Sequence, residues 1–209
     1  MVTAVREAVQ SATAVIFDFD GTLVDSNEIK RRGFDHAFAD YPESMDEIRA
    51  YCYGFNHTNR YEKFRYVTEN ILRIDFTPEL EKRFAQRYAE FTTSSVADAP
   101  EIPGAEAFLR SLMPNRPALL SSTPTEILLM ILERRGWRSL FSRIQGAPVN
   151  KREWLQEFQH SLGCTPRDLV FFGDTDEDAR SAEEAGCAFI RVGRIPNPTG
   201  LAIADFKGL

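Results

Sequence analysis

Short apolar runs that stop abruptly at polar residues punctuate the chain. They are Ala14 to Phe17 before Asp18, Ala118 to Leu120 before Ser121, Leu169 to Phe172 before Gly173 and Asp174, and Phe189 to Val192. The first three runs, apolar throughout, read as strands buried on both faces, and the last would supply a further strand. Between the second and third, apolar residues recur at helical spacing: Ile127, Leu128, Ile131 and Leu132, then Trp154, Leu155, Phe158 and Leu162 after Lys151. Another helix is expected to end near Gly186, just before the last run. Strands alternating with helices imply right-handed crossovers and a parallel sheet.

The stretch from Glu28 to Ala99 breaks this rhythm and reads as helices only. Phe64, Val67 and Ile71 share one face, as do Leu80, Phe84, Tyr88 and Phe91. Pro100, Pro103 and Gly104 then mark a return to the earlier pattern. The expected fold is therefore α/β, a Rossmann-like parallel sheet core with an inserted all-helical domain. Residues 1–27 and 100–209 are assigned to the core and 28–99 to the insertion.

Composition narrows the partners. A net charge of −6 argues against a nucleic-acid surface, which needs clustered Lys and Arg. The N-terminal segment carries Arg6 and Glu7 and has no continuous apolar stretch, so neither a signal peptide nor a membrane span is expected, and the cytoplasm is the expected location. Cys52, Cys164 and Cys187 are widely spaced with no CxxC pairing, which reads as three reduced thiols and no zinc site. A small-molecule substrate is the simplest partner.

In open parallel sheets, ligands bind beyond the carboxyl ends of the strands, and the conspicuous polar residues here all fall at such ends. Asp18 and Asp20 are two apart, so their side chains share a side while the chain stays extended. Crowding them with Asp174 and Asp178 is unfavourable without a cation, because like charges at close range disfavour one another's ionisation. A sparse set of oxygen ligands suits Mg2+, which keeps waters and a phosphate oxygen in its shell. Asp174, Asp176 and Asp178 imitate the start of a calcium loop. Ala179 and Ala185 stand where that loop needs Gly and Glu, so it is excluded. The hydroxyl of Ser121 and the N–H groups that follow, from Ser122 on, can bind phosphate oxygens at a helix start. Lys151 opens another helix, where the dipole disfavours a cation and a compensating anion is wanted.

The order of these features, DFDGT at 18 to 22, a strand ending in Ser121, Lys151, and GDTDED at 173 to 178, resembles the haloacid dehalogenase superfamily. The likeness is to its phosphatase-like members with a helical cap inserted after the first motif. It implies that Asp18 is the nucleophile that forms an aspartyl-phosphate and that Asp20 is the general acid and base. It implies that Ser121, Ser122 and Lys151 hold the phosphate. Asp18, Asp20 through its backbone carbonyl, Asp174 and Asp178 would surround magnesium. Gly21 and Thr22 would shape the turn leading out of the motif. Dehalogenases of the superfamily lack the second aspartate, so Asp20 favours phosphoryl transfer.

The expected reaction is magnesium-dependent hydrolysis of a small phosphate ester. A phosphomutase of the same architecture would keep all these residues. A different class, a non-enzymatic phospho-acceptor signalling domain, also sets acidic residues, a hydroxyl and a lysine on a parallel sheet. Such domains are shorter and carry adjacent acidic residues after the first strand, whereas Asp18 and Asp20 flank Phe19 and precede a long insertion. The insertion is expected to select the substrate, since the core residues recognise only a phosphoryl group and a metal. Its cationic segment, Gly54 to Arg65, includes His57, Arg60 and Lys63, with Arg31 and Arg32 upstream. Arg60 and Lys63 are the candidates chosen for specificity, toward an anionic or hydroxyl-rich ester such as a sugar phosphate.

Overall fold

All four apolar runs become strands in the computed structural model, which describes residues 2–54, 59–193 and 200–209. Along the chain lie α1 (Val2–Ser11), β1 (Ala14–Phe17), α2 (Asn27–Ala37), α3 (Met45–Gly54), α4 (Arg60–Tyr66) and α5 (Pro78–Asp98). They are followed by α6 (Ala105–Ser111), β2 (Ala118–Pro124), α7 (Thr125–Arg135), β3 (Arg143–Ala147) and α8 (Lys151–Leu162). The chain closes with β4 (Leu169–Gly173), α9 (Asp176–Ala185), β5 (Ala188–Val192) and β6 (Leu201–Ile203).

The strands form one parallel sheet in the order β3-β2-β1-β4-β5-β6. The chain builds outward from β1 to β3, then returns to the other side of β1 with β4. That reversal is a topological switch point, where a parallel sheet opens a crevice beyond its carboxyl ends. Asp18 follows β1 and Asp174 follows β4, so both stand at its mouth.

Strand alternation sorts the core into two layers. Ile16, Leu120 and Phe171 join Trp154, Leu155 and Phe158 of α8 and Ala182 and Ala185 of α9 in one buried cluster. Phe17 and Phe172, one residue on, point the other way and stack at 4.8 Å between ring centroids. Phe108 of α6 meets Phe17 edge-on at 6.1 Å, and Phe206 stacks on Phe108 at 5.5 Å. Each fully buried Phe contributes about 1.5–3 kcal/mol relative to exposure.

Two compact units result, Met1–Asp25 with Ala99–Leu209, and Ser26–Asp98. The first contains the sheet. The two chain segments at the boundary are tied within it: Asp25 N donates to Pro100 O at 2.9 Å and Ile102 N to Leu23 O at 2.9 Å. The second contains helices and turns, with no strand among its described residues. Its core gathers Phe34, Phe38, Ile48, Cys52, Phe64, Val67, Phe84 and Tyr88, with Phe38 and Phe84 rings 4.5 Å apart. Among the described residues no helix is long and apolar enough to cross a membrane.

Three elements were not evident in the pattern of apolar positions. β3 contains Arg143, Gln145 and Gly146 and is a strand because it pairs with β2 at the sheet's edge. β6 has only three residues, paired with β5. α1 buries little besides Val5. In addition, β2 continues past Ser121 to Pro124, with a shift of register against β3 after Leu120.

Candidate active site

Ile16 faces α8 and α9, so Asp18, two residues further along the same alternation, emerges on that side of the sheet. Its backbone still follows the strand, with Asp18 N donating to Phe172 O at 2.8 Å. Lys151, the first residue of α8, meets it there. The Lys151 Nζ donates to Asp18 Oδ1 at 2.8 Å and to Asp178 Oδ1 at 2.6 Å. All three residues are buried. The anion that a cation at a helix start requires is thus supplied twice over.

Asp178 is fixed by its own helix. Its Oδ2 accepts from Thr175 Oγ1 at 2.5 Å and Thr175 N at 3.2 Å, while Asp178 N donates to Thr175 Oγ1 at 3.1 Å. This reciprocal cap starts α9 and aims the other oxygen at Lys151. Gly173 makes room for it, since a Cβ there would lie 2.5 Å from the Asp178 Cβ.

Asp18, Asp174 and Asp178 each present a carboxylate oxygen within 4.8 Å of the others. Burial raises the Asp18 pKa well above the usual carboxylate range; Lys151 opposes the shift, and Asp178 and Asp174 add to it. For Lys151, burial acts to lower the pKa, but Asp178 and Asp18 together outweigh it and the ammonium is held charged. One ammonium against three carboxylates leaves the cluster with excess negative charge when all are ionised. A hard divalent cation fits that excess and this all-oxygen donor set. Thr22 Oγ1 donates to Asp174 Oδ1 at 3.4 Å.

Asp20 is not one of this trio. After Phe19 the chain turns at Gly21, whose φ of +78° a side chain would disfavour. The Asp20 Oδ2 accepts from Thr123 Oγ1 at 2.7 Å, linking the motif to the end of β2. Thr123 N in turn donates to Ser121 Oγ at 3.1 Å. Ser121 and Thr123 are buried whereas Ser122 between them is exposed, as alternation requires of a strand that has not ended. The Ser121 hydroxyl therefore faces the Asp20 side, Ser122 has only its backbone available there, and Thr123, part of the polar run after Leu120 but given no role among the candidate residues, joins the candidate site. The helix start that was to follow Ser121 comes later, at Thr125.

The family model for haloacid dehalogenase-like hydrolases matches residues 15–192. The chain belongs to that family. Among its relatives are the phosphoglycolate phosphatase of Synechococcus elongatus, 28% identical over 86% of this chain and 82% of that protein, and that of Cereibacter sphaeroides, 30% identical over 84% and 82%. The fold is shared with CbbY from Rhodobacter sphaeroides, solved in complex with xylulose-1,5-bisphosphate, at a TM-score of 0.74 and 19% identity over 95% of this chain and 96% of that one. This haloacid dehalogenase-like chain is an enzyme, a phosphatase.

Within the helical unit of this hydrolase, Arg60 opens α4. Its guanidinium lies 5.0 Å from the Tyr61 ring centroid and 5.5 Å from that of Tyr88, and Nη2 donates to the Tyr61 hydroxyl at 3.2 Å. Lys63, one turn later, is 6% exposed. Its ammonium donates to Cys52 O at 2.7 Å and sits 5.3 Å from the Phe34 ring centroid. Burial lowers the Lys63 pKa, Cys52 opposes that shift, and Arg31 adds to it. His57 falls in 55–58, outside the described residues.

Proposed function

We propose that this phosphatase is a magnesium-dependent phosphomonoester hydrolase working through an aspartyl-phosphate on Asp18, with small phosphorylated carboxylic acids, phosphoglycolate first, as its substrates. The observation that carries the reading is the buried Lys151 bridging Asp18 and Asp178 beside Asp174. A carboxylate attacks a phosphate dianion only when charge on both is offset, and this cluster is built for that.

In the first half-reaction an Asp18 carboxylate oxygen bonds to phosphorus as the ester P–O bond breaks, and Asp20 gives a proton to the departing alkoxide. In the second, Asp20 takes a proton from water as that water bonds to phosphorus, the Asp18–phosphorus bond breaks, and inorganic phosphate leaves. Lys151, the Ser121 hydroxyl and the Ser122 N–H hold the phosphoryl oxygens throughout. Magnesium held by Asp18, Asp174, Asp178 and the Asp20 carbonyl would neutralise phosphoryl charge. The Thr123 hydroxyl orients Asp20 for both proton transfers.

The test is phosphate release by protein stripped with a chelator, with and without added Mg2+, from phosphoglycolate, a sugar monophosphate and p-nitrophenyl phosphate. Release that needs Mg2+ is expected, fastest with phosphoglycolate. No release from any ester sinks hydrolysis, and isomer exchange without net phosphate would make the chain a mutase.

The helical unit is proposed to choose the substrate, through Arg60 and Lys63. Among the described residues the Lys63 ammonium makes one hydrogen bond, to a carbonyl, and no carboxylate pairs with it. Two donor positions are thus left for an anionic group. Arg60→Ala or Lys63→Met should raise KM for phosphoglycolate about tenfold, the size of one charge-assisted hydrogen bond, while p-nitrophenyl phosphate hydrolysis stays nearly unchanged. Parallel changes on both esters, or none on either, would remove the selective role.

A further inference from the structure

A buried arginine stands behind the acidic cluster. Arg191 lies near the end of β5, in register with Gly173 of β4, and is 4% exposed. Its Nη1 donates to the backbone carbonyl of Asp174 at 2.8 Å and its Nη2 to Asp176 Oδ1 at 2.6 Å. The side chain also packs on Phe189, 5.7 Å from the guanidinium carbon to the ring centroid. The buried Nε has no hydrogen-bond partner. A guanidinium is expensive to bury and is kept only where its pairing compensates.

Its pairing explains its position. The turn 174–178 leaves β4 and must hold Asp174 toward Asp18 while α9 begins. The reciprocal cap of Thr175 and Asp178 fixes the far end of that turn, and the Arg191 fork holds the near end through Asp174 O. The planar fork spans the carbonyl of 174 and the carboxylate of 176 at once, which a lysine ammonium does not.

We infer that Arg191 is a positioning residue that sets the backbone at Asp174 so that its carboxylate can receive the cation with Asp18 and Asp178. The inference rests on the proposed cation site. Two effects of Arg191 on cation affinity have opposite signs. Its positive charge repels a divalent ion, so charge alone predicts tighter binding when it is removed. Its hold on Asp174 predicts weaker binding, by about tenfold, as for groups that orient metal ligands from behind.

The experiment is direct titration of the purified full chain with Mg2+ by calorimetry and with Mn2+ by electron paramagnetic resonance, alongside thermal midpoints. Arg191→Met should raise both dissociation constants about tenfold, and Arg191→Lys about threefold because one of two acceptors is retained. Asp176→Asn should weaken binding less than Arg191→Met does, since the bond to Asp174 O persists. The Mg2+ concentration giving half-maximal phosphate release should rise in step with the dissociation constant, while kcat at saturating Mg2+ falls less. A folded Arg191→Met that binds as tightly as the parent, or more tightly, overturns the inference. If that variant does not fold, Arg191→Lys with unchanged affinity overturns it equally. A parent chain that binds neither cation overturns the cation site itself, and this inference with it, a pattern distinct from a parent that binds and a variant that matches it.

Discussion

Asp18→Asn is expected to reduce phosphate release by on the order of 10⁴-fold or more, the largest effect of any single substitution in this chain. An amide cannot form the acyl phosphate, and no neighbouring carboxylate takes over. Asp174 and Asp178 are committed to Thr22, Thr175 and Lys151. The same variant should remain folded. Removing one partner of a buried ion pair costs about 3–5 kcal/mol when it strands a charge. Here Lys151 keeps Asp178 at 2.6 Å, one cation facing one anion. The test pairs a phosphate-release assay with a thermal midpoint. Activity within tenfold of the parent, in a folded protein, would eliminate the covalent mechanism.

The cation has a related consequence. Burial and two neighbouring carboxylates favour the protonated form of Asp18, which is not nucleophilic. A divalent ion among the three carboxylates lowers that pKa again. Mg2+ should therefore extend activity toward lower pH as well as raise it, and protein without added cation should lose stability as the pH rises through the range where Asp18 ionises.

What could be read from the sequence depended on how local the signal was. Strands β1, β2, β4 and β5 announce themselves because each contains a short run that is mostly buried and hence mostly apolar. β3 does not, because an edge strand with Arg143 and Gln145 exposes much of itself and owes its conformation to pairing with β2. The polar residues at strand ends were visible for the same reason, and the fold brings Asp18, Lys151, Asp174 and Asp178 together. Thr123 carries no role on sequence alone, because the apolar run of β2 ends at Leu120. Had the strand been carried two residues further, alternation would have placed Ser121 and Thr123 on one side and Ser122 on the other. Arg191 had no local signature. A charged residue within an apolar run says that something compensates it, but only the register of β5 on β4 reveals that the partner is the turn at Asp174.

Asp20→Asn should lower turnover by about a hundredfold to ten-thousandfold on phosphoglycolate, the range for loss of a general acid and base. Its effect should depend on the leaving group in a way that no positional defect reproduces. An alkoxide departs badly without a proton, whereas p-nitrophenolate departs readily, so the first half-reaction of the aryl ester needs Asp20 little. The second half-reaction still needs it to activate water. On the aryl ester the variant should therefore show a burst of nitrophenolate followed by slow phosphate release, with phosphorylated Asp18 accumulating. The Thr123 hydroxyl that holds Asp20 at 2.7 Å provides a control. Thr123→Val should shift the same leaving-group dependence in the same direction but by less, because it takes away one restraint on the carboxyl without removing the carboxyl itself. Equal losses on both esters, with no burst, would mean that Asp20 acts on the shape of the turn at Gly21 and not on the proton.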